Sequence, residues 1–128
     1  MASELRVNTL KDASGNNSVA TSVVFNGTCK IWVNFDGTAG TLAARDSYNI
    51  AGFTDVGTGN YTASFTSNMN NDDYSGVVSG ASDNYEHSSL NSEALCTTSS
   101  IRFFMFLNAS DAASDNTIVS CQIQGDLA

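Results

Sequence analysis

The stretch "TCKIWVNFDG", from Thr28 to Gly37, alternates apolar and other side chains at every second position. In an extended chain, successive side chains point to opposite sides of the sheet, so this period of two predicts a strand with one covered face. The pair Asp36-Gly37 at the end of this stretch is typical of a hairpin turn. The covered face would hold Cys29, Ile31, Val33 and Phe35, and the opposite face Lys30, Trp32 and Asn34.

The same period recurs on both sides of this stretch. It is clearest in "NYTASFT" (60–66), "IRFFMFL" (101–107) and "TIVSCQIQ" (117–124), and shorter candidates are Leu5–Asn8, Ser47–Phe53 and Tyr74–Ser79. Turn-forming residues at Val56–Gly59 and Asn68–Asp73 separate them. About seven short strands predict an all-β fold, an antiparallel β-sandwich of jelly-roll-like type or a barrel. No segment favours a long helix. The candidate core residues include Val33, Phe35, Ile50, Tyr61 and Phe65.

The first 27 residues have a different composition from the rest of the 128-residue chain, which suits one domain. The polar run "KDASGNNSVATS" predicts a linker between a short strand and the main domain. We therefore divide the chain into an arm (1–27) and a β-sandwich domain (28–128). Leu5, Val7 and Leu10 are the arm's candidate attachment residues, and an ordinary flexible terminus is the alternative.

The strand 101–107 has large apolar side chains on both faces. A strand has this composition when both of its faces are covered, whereas the outer face of a small sandwich is normally wet. We predict that a second subunit covers the face that carries Arg102, Phe104 and Phe106. These three residues are the candidate subunit interface of a homo-oligomer.

The charge and composition exclude several classes of partner. With 13 acidic and 5 basic residues, the net charge is −8, and no basic cluster is available for a nucleic acid or an anionic membrane surface. No apolar run approaches the ~18 residues of a membrane span, and the N-terminus lacks the apolar core of a signal peptide. We expect synthesis in a cytoplasm and no membrane insertion. Three cysteines without zinc-site spacing predict buried thiols, with one disulfide or an intersubunit contact as the alternative.

The sequence offers little that could perform catalysis. His87 is the single histidine and no G-x-S-x-G motif accompanies it. The acidic residues Asp72, Asp73 and Glu86 have no spacing that would bring paired carboxylates together. No metal-binding motif or phosphate-binding loop is present, so we predict no enzyme activity, metal or cofactor.

The polar stretch "SDNYEHSS" (82–89) predicts an exposed loop. It groups an aromatic ring with hydrogen-bonding side chains, which suits contact with a sugar or another receptor. A plain solvated loop is the alternative. The candidate receptor-facing residues are Asp83, Asn84, Tyr85, Glu86 and His87.

The quoted stretch and its continuation carry a resemblance to a known family. The motifs are "WVNF", Asp36-Gly37-Thr38, Arg45-Asp46-Ser47, Thr54-Asp55, Gly57-Thr58-Gly59 and Tyr61-Thr62, followed by "FTSNMNNDDYSGVVSG" (65–80), with "ELRVNTLKDASGNNS" before them and "VSCQIQGD" near the end. This pattern resembles a domain of tail-fibre-like and other virion surface proteins of marine bacteriophages, of cyanophage and pelagiphage type. The resemblance covers most of residues 5–80, and residues 81–100 do not match.

The resemblance implies a trimeric β-sandwich on a phage particle. We expect a non-enzymatic virion structural protein of tail-fibre type, made in the host cytoplasm and displayed on the virion surface. Its partners would be its own copies, other capsid or tail proteins, and a host surface glycan or protein. Tail fibres are usually longer chains, so a capsid decoration (cement) protein is the alternative, and a polysaccharide depolymerase ranks below both.

Overall fold

The computed structural model describes residues 3, 5–82, 86–90, 95–107 and 110–128, with the backbone alone described at 86, 87 and 90. These ranges contain ten strands and one helix. They are β1 (Thr9–Lys11), β2 (Ser18–Ala20), α1 (Thr21–Gly27), β3 (Ile31–Phe35), β4 (Ala44–Tyr48), β5 (Ile50–Gly57), β6 (Asn60–Phe65), β7 (Ser75–Ala81), β8 (Glu86–Leu90), β9 (Ser100–Leu107) and β10 (Ile118–Gln124).

Eight of these strands form two four-stranded antiparallel sheets. The first sheet has the order β4-β3-β10-β7 and the second has the order β5-β6-β9-β8. Strands β10 and β7 pair directly, so β7, β8, β9 and β10 follow a Greek-key path in which the fourth strand returns beside the first. The prediction of an all-β fold with antiparallel sheets is confirmed.

The core lies between the two sheets, on the inward faces of their central strands. Phe35 is completely buried and its ring lies 4.7 Å from that of Phe53, 5.3 Å from that of Tyr61 and 6.0 Å from that of Phe103. Aromatic pairs at these distances contribute about 0.5–1.5 kcal/mol each beyond the area they bury. Four of the predicted core residues are buried and Ile50 packs partly buried against them.

Two predicted local features differ from the structure. The predicted strand Ser47–Phe53 is interrupted at Asn49, whose φ of 60° ends β4 and begins β5. Asp36-Gly37 does not close a tight hairpin, because residues 36–43 connect β3 to β4. The Asp36 carboxylate accepts bonds from the Thr38 amide (3.0 Å) and hydroxyl (2.6 Å), and it pairs with Arg45 at 3.1 Å. The Arg45 side chain therefore holds this longer loop.

The predictions for the N-terminal residues were wrong in their local structure. The first strand lies at Thr9–Lys11 rather than at Leu5–Asn8, and it pairs with β2 in a separate two-stranded sheet. Only residues 12–17 of the predicted linker (11–22) form a loop, that of this hairpin, and its other residues belong to β1, β2 and α1. The loop is closed by the Asp12 carboxylate, which accepts bonds from the Asn16 amide (3.0 Å) and the Asn17 side chain (2.7 Å). The helix α1, which the sequence did not predict, leads from the hairpin towards β3.

Candidate functional site

Strand β9 has a buried face and a partly open face. Its inward residues Ile101, Phe103 and Met105 are fully buried, whereas Arg102, Phe104 and Phe106 lie on the opposite face of the sheet and are half-buried. Asn60 lies opposite Phe104 on β6, and Ser89 lies opposite it on β8. The structure thus brings the three predicted interface residues together on one surface, which we call the β9 outer face.

Contacts within the β9 outer face orient its large side chains. Arg102 Nε donates a hydrogen bond to Asn60 Oδ1 at 2.8 Å, and its guanidinium carbon lies 5.8 Å from the centre of the Phe104 ring. The rings of Phe104 and Phe106 lie 5.8 Å apart with an angle of 31° between their planes. An oriented Arg beside two aromatic rings is the kind of surface found at the centres of protein interfaces.

The predicted attachment residues are exposed apolar side chains. Leu5 is 81% exposed and Leu10 is 44% exposed, and Val7 is also exposed. The seven-residue helix α1 buries none of its residues, and it adds Val23, Val24 and Phe25 to this exposed apolar set. We refer to residues 5–27 as the N-terminal segment. Its helix escaped the sequence analysis because "TSVVFNG" is rich in strand-favouring residues and too short to show a helical period.

Lys30 is a structural residue that the strand pattern placed wrongly on an outer face. It is 3% exposed, and its ammonium group donates hydrogen bonds to the Phe25 carbonyl oxygen and, at 2.9 Å, to Thr28 Oγ1. The ammonium also lies 4.2 Å from the centre of the Phe25 ring. A cation at the carboxyl end of a helix satisfies free carbonyl groups and the helix dipole. Lys30 therefore fixes the end of α1 next to the sandwich.

The predicted receptor-facing loop is described only in part. Asp83, Asn84 and Tyr85 lie outside the described residues. The loop prediction was wrong for Glu86 and His87, because both belong to β8, where they pair with Leu107 and Phe106 of β9. The backbone of His87 thus lies beside the β9 outer face rather than in a separate loop.

A polar cluster at one end of the sandwich has a structural role. The Tyr61 hydroxyl donates to Asp115 Oδ1 at 2.7 Å, and the Gly59 amide donates to the same oxygen at 2.6 Å. Burial, with a further contribution from Asp115, raises the pKa of Tyr61 far above its ordinary value. Gly59 has a φ of 63°, and a Cβ there would collide with the backbone of Met105 and Ser114. The cluster joins the β5–β6 turn to the segment before β10, and no periodic pattern in the sequence points to Asp115.

The described residues offer no catalytic constellation. Asp72 and Asp73 are exposed in a bend between β6 and β7, and within the described ranges no three His, Cys, Asp or Glu side chains group to hold a metal. All three cysteines are free, and burial raises the pKa of Cys121 to about 12, so its thiol stays protonated. Among the described helices, none has the length and apolarity required to span a membrane.

Comparison with known proteins finds no match. No protein-family model, no curated protein and no solved structure gives a significant match to this chain.

Proposed function

We propose that this chain is a non-enzymatic structural protein of a bacteriophage virion, a trimeric surface appendage of tail-fibre type. The observation that carries the proposal is the β9 outer face, where an oriented Arg102 and two large aromatic rings lie on the side of the sheet away from the core. The motif resemblance of residues 5–80 supports the phage assignment.

The trimer would bury the β9 outer face between copies. In a cyclic trimer each interface is heterologous, so different parts of the surface of neighbouring copies meet. Phe104 and Phe106 would supply the apolar centre and Arg102 a charged group at its edge. A jelly-roll-like fold would have two Greek keys. The path from β7 to β10 is one of them, and the jelly-roll-like form remains a prediction.

The N-terminal segment would attach the trimer to other capsid or tail proteins. Leu5, Val7 and Leu10 offer exposed apolar side chains, and the strands of the β1–β2 sheet pair with each other. Adding a strand to a neighbouring sheet edge is a common mode of attachment for such a segment. Contact of Asp83, Asn84 and Tyr85 with the host surface stays a prediction, and no cofactor, nucleic acid or membrane insertion is part of the proposed function.

A capsid decoration protein is the main alternative, because the same domain could stabilise the phage head. The experiment that separates the two is an electron micrograph of the virion with this protein labelled, together with its copy number. A fibre gives label on the tail and about one or two dozen copies, whereas decoration gives label over the head and hundreds of copies. Label on neither structure would contradict the proposal.

A polysaccharide depolymerase is the lower-ranked alternative. Incubation of the purified protein with host surface polysaccharide tests it directly. We expect no release of oligosaccharide, because the described carboxylates do not converge on a cleft. Catalytic release of oligosaccharide would overturn the non-enzymatic proposal.

A further inference from the structure

The first sheet has an outer face that none of the preceding assignments uses. Along β3, Ile31, Val33 and Phe35 point into the core, so Trp32 and Asn34 lie on the opposite face. In the strand pairing, Trp32 lies directly opposite Tyr48 of β4 and Gln122 of β10, and Gln122 lies opposite Val77 of β7. These four side chains form a row across all four strands, which we call the Trp32 row.

The Trp32 row is open to solvent at both ends. Tyr48 is 52% exposed and Val77 is 69% exposed, while Trp32 between them is partly buried. Directly paired residues in an antiparallel sheet have Cβ atoms about 4.5–5.5 Å apart, so the indole of Trp32 and the phenol ring of Tyr48 start from neighbouring positions on the same face of the sheet. Both residues belong to strands rather than to loops.

A second row, of uncharged and acidic hydrogen-bonding groups, runs parallel to the first. Two residues further along β3, Asn34 lies opposite Asp46 of β4 and Ser120 of β10, and Ser120 lies opposite Ser79 of β7. The Asn34 amide donates to Ser120 Oγ at 2.8 Å, which orients both groups before any ligand binds. Two residues of a strand span about 7 Å, so hydroxyl groups of a ligand on the Trp32 row can reach this polar row.

From these two rows we infer that the outer face of the first sheet binds an uncharged glycan, a polysaccharide without carboxylate, sulfate or phosphate groups. The C–H faces of sugar rings pack on the electron-rich faces of Trp and Tyr, and ring hydroxyls bond to Asn34, Ser120 and Gln122. The rings of Trp32 and Tyr48 would supply affinity, and the amides and hydroxyls would orient the polysaccharide.

The negative charge of the domain disfavours two other ligands for this face, a polyanionic glycan and a second copy of the chain. Residues 28–128 hold eleven acidic and three basic residues, and Asp46 lies within the polar row itself. Arg45 is the basic residue beside this row: its Nη1 donates to Asn34 Oδ1 at 3.5 Å, and its charge is paired with Asp36 at 3.1 Å. A polyanionic glycan would be repelled by this surface, and so would the same face of a second copy. One further step rests on the proposed trimer. There, the outer face of the first sheet would point away from the β9 outer face, so three copies would present three sites to one polysaccharide and gain avidity.

Affinity electrophoresis in native gels tests the inference, with dextran, yeast mannan and laminarin as uncharged probes and dextran sulfate as the charged counterpart of dextran. We expect at least one uncharged probe to retard the protein, and dextran sulfate to have no effect. Trp32→Ala and Tyr48→Ala should each weaken the binding about tenfold or more, and Gln122→Ala should weaken it less. Val56→Ala removes an exposed apolar side chain from the other sheet and should leave binding unchanged.

Circular dichroism melts of each variant distinguish a loss of binding from a loss of folding. If Trp32→Ala unfolds, Tyr48→Ala, at an exposed position, tests the inference in its place. The inference is overturned if no uncharged probe retards the protein, if dextran sulfate binds as well as dextran, or if Val56→Ala weakens binding as much as Tyr48→Ala. Sedimentation of the same samples keeps the two proposals separate. A trimer without glycan binding contradicts this inference alone, and a monomer that binds glycan contradicts the trimer alone.

Discussion

Strand β9 carries large apolar side chains on both of its faces, but the two faces have different surroundings. The inner residues Ile101, Phe103 and Met105 are completely covered by the facing sheet. The outer residues Phe104 and Phe106 contact each other and keep part of their surface in solvent. The inner face explains why the chain folds. For the outer face we propose a different role, a contact between copies of the chain.

Substitution of neighbouring phenylalanines should separate the two faces most strongly. Phe103→Ala creates a cavity in the core and should lower the free energy of unfolding by about 3–5 kcal/mol. Phe104→Ala, on the outer face, should lower the free energy of unfolding of the isolated monomer by about 1 kcal/mol or less. Urea denaturation at low protein concentration measures both values. Equal losses would show that both faces serve the monomer core.

Tyr61→Phe tests the polar cluster of Tyr61, Gly59 and Asp115 at one end of the sandwich. It removes a hydroxyl that donates to Asp115, so we expect a loss of about 1–3 kcal/mol in the free energy of unfolding. Tyr48→Phe, which removes an exposed hydroxyl, is the matched control and should change it by less than about 0.5 kcal/mol. Thermal or urea melts that do not distinguish these variants would contradict the structural role of the cluster.

Lys30→Met tests how the N-terminal segment is held against the sandwich. The change keeps much of the aliphatic length but removes the ammonium group that bonds to Phe25 and Thr28 at the end of α1. We expect faster amide hydrogen exchange in α1, with β10 unaffected, and a loss of about 1 kcal/mol in the free energy of unfolding. Exchange that rises equally in α1 and β10 would mean that Lys30 supports the whole domain instead.

The smallest expected effect is the pH dependence of the loop between β3 and β4. Hydrogen bonds from Thr38, and then the charge of Arg45, hold the pKa of the Asp36 carboxyl below its ordinary value. Because the folded-state pKa is the lower one, its stabilising contribution is present above about pH 4 and is lost as the pH falls through the folded-state pKa. The difference in melting temperature between the protein and Asp36→Asn should therefore shrink below about pH 4. Asp46→Asn controls for a general charge effect, and a difference that grows on acidification would contradict the assignment.

Periodicity predicted the sandwich well because the inner faces of its strands are regular. Ile31, Val33 and Phe35 alternate as the sequence indicated, and so do Tyr61, Ala63 and Phe65. Where the structure depends on single contacts between distant residues, the pattern carried no information. The hydrogen bond between Asp115 and Tyr61 joins residues that are 54 positions apart in the sequence. The burial of Lys30 depends on the end of α1, a helix that has no periodic pattern in the sequence.

The candidate surfaces were predictable to different degrees. The β9 outer face follows from the strand period alone, because alternation places Arg102, Phe104 and Phe106 together. The Trp32 row does not, because it needs the strand order β4-β3-β10-β7 and the register that sets Tyr48 and Gln122 beside Trp32. His87 was misplaced because a polar strand at a sheet edge has the composition of a loop.

Sedimentation velocity at micromolar concentration tests most directly the claim that the β9 outer face joins subunits. We expect a single species of three times the 13.4 kDa chain mass, and the double variant Phe104→Ser/Phe106→Ser should sediment as a folded monomer with an unchanged circular dichroism spectrum. A 13.4 kDa monomer for the unaltered protein, or a trimer that survives the double substitution, would contradict the claim.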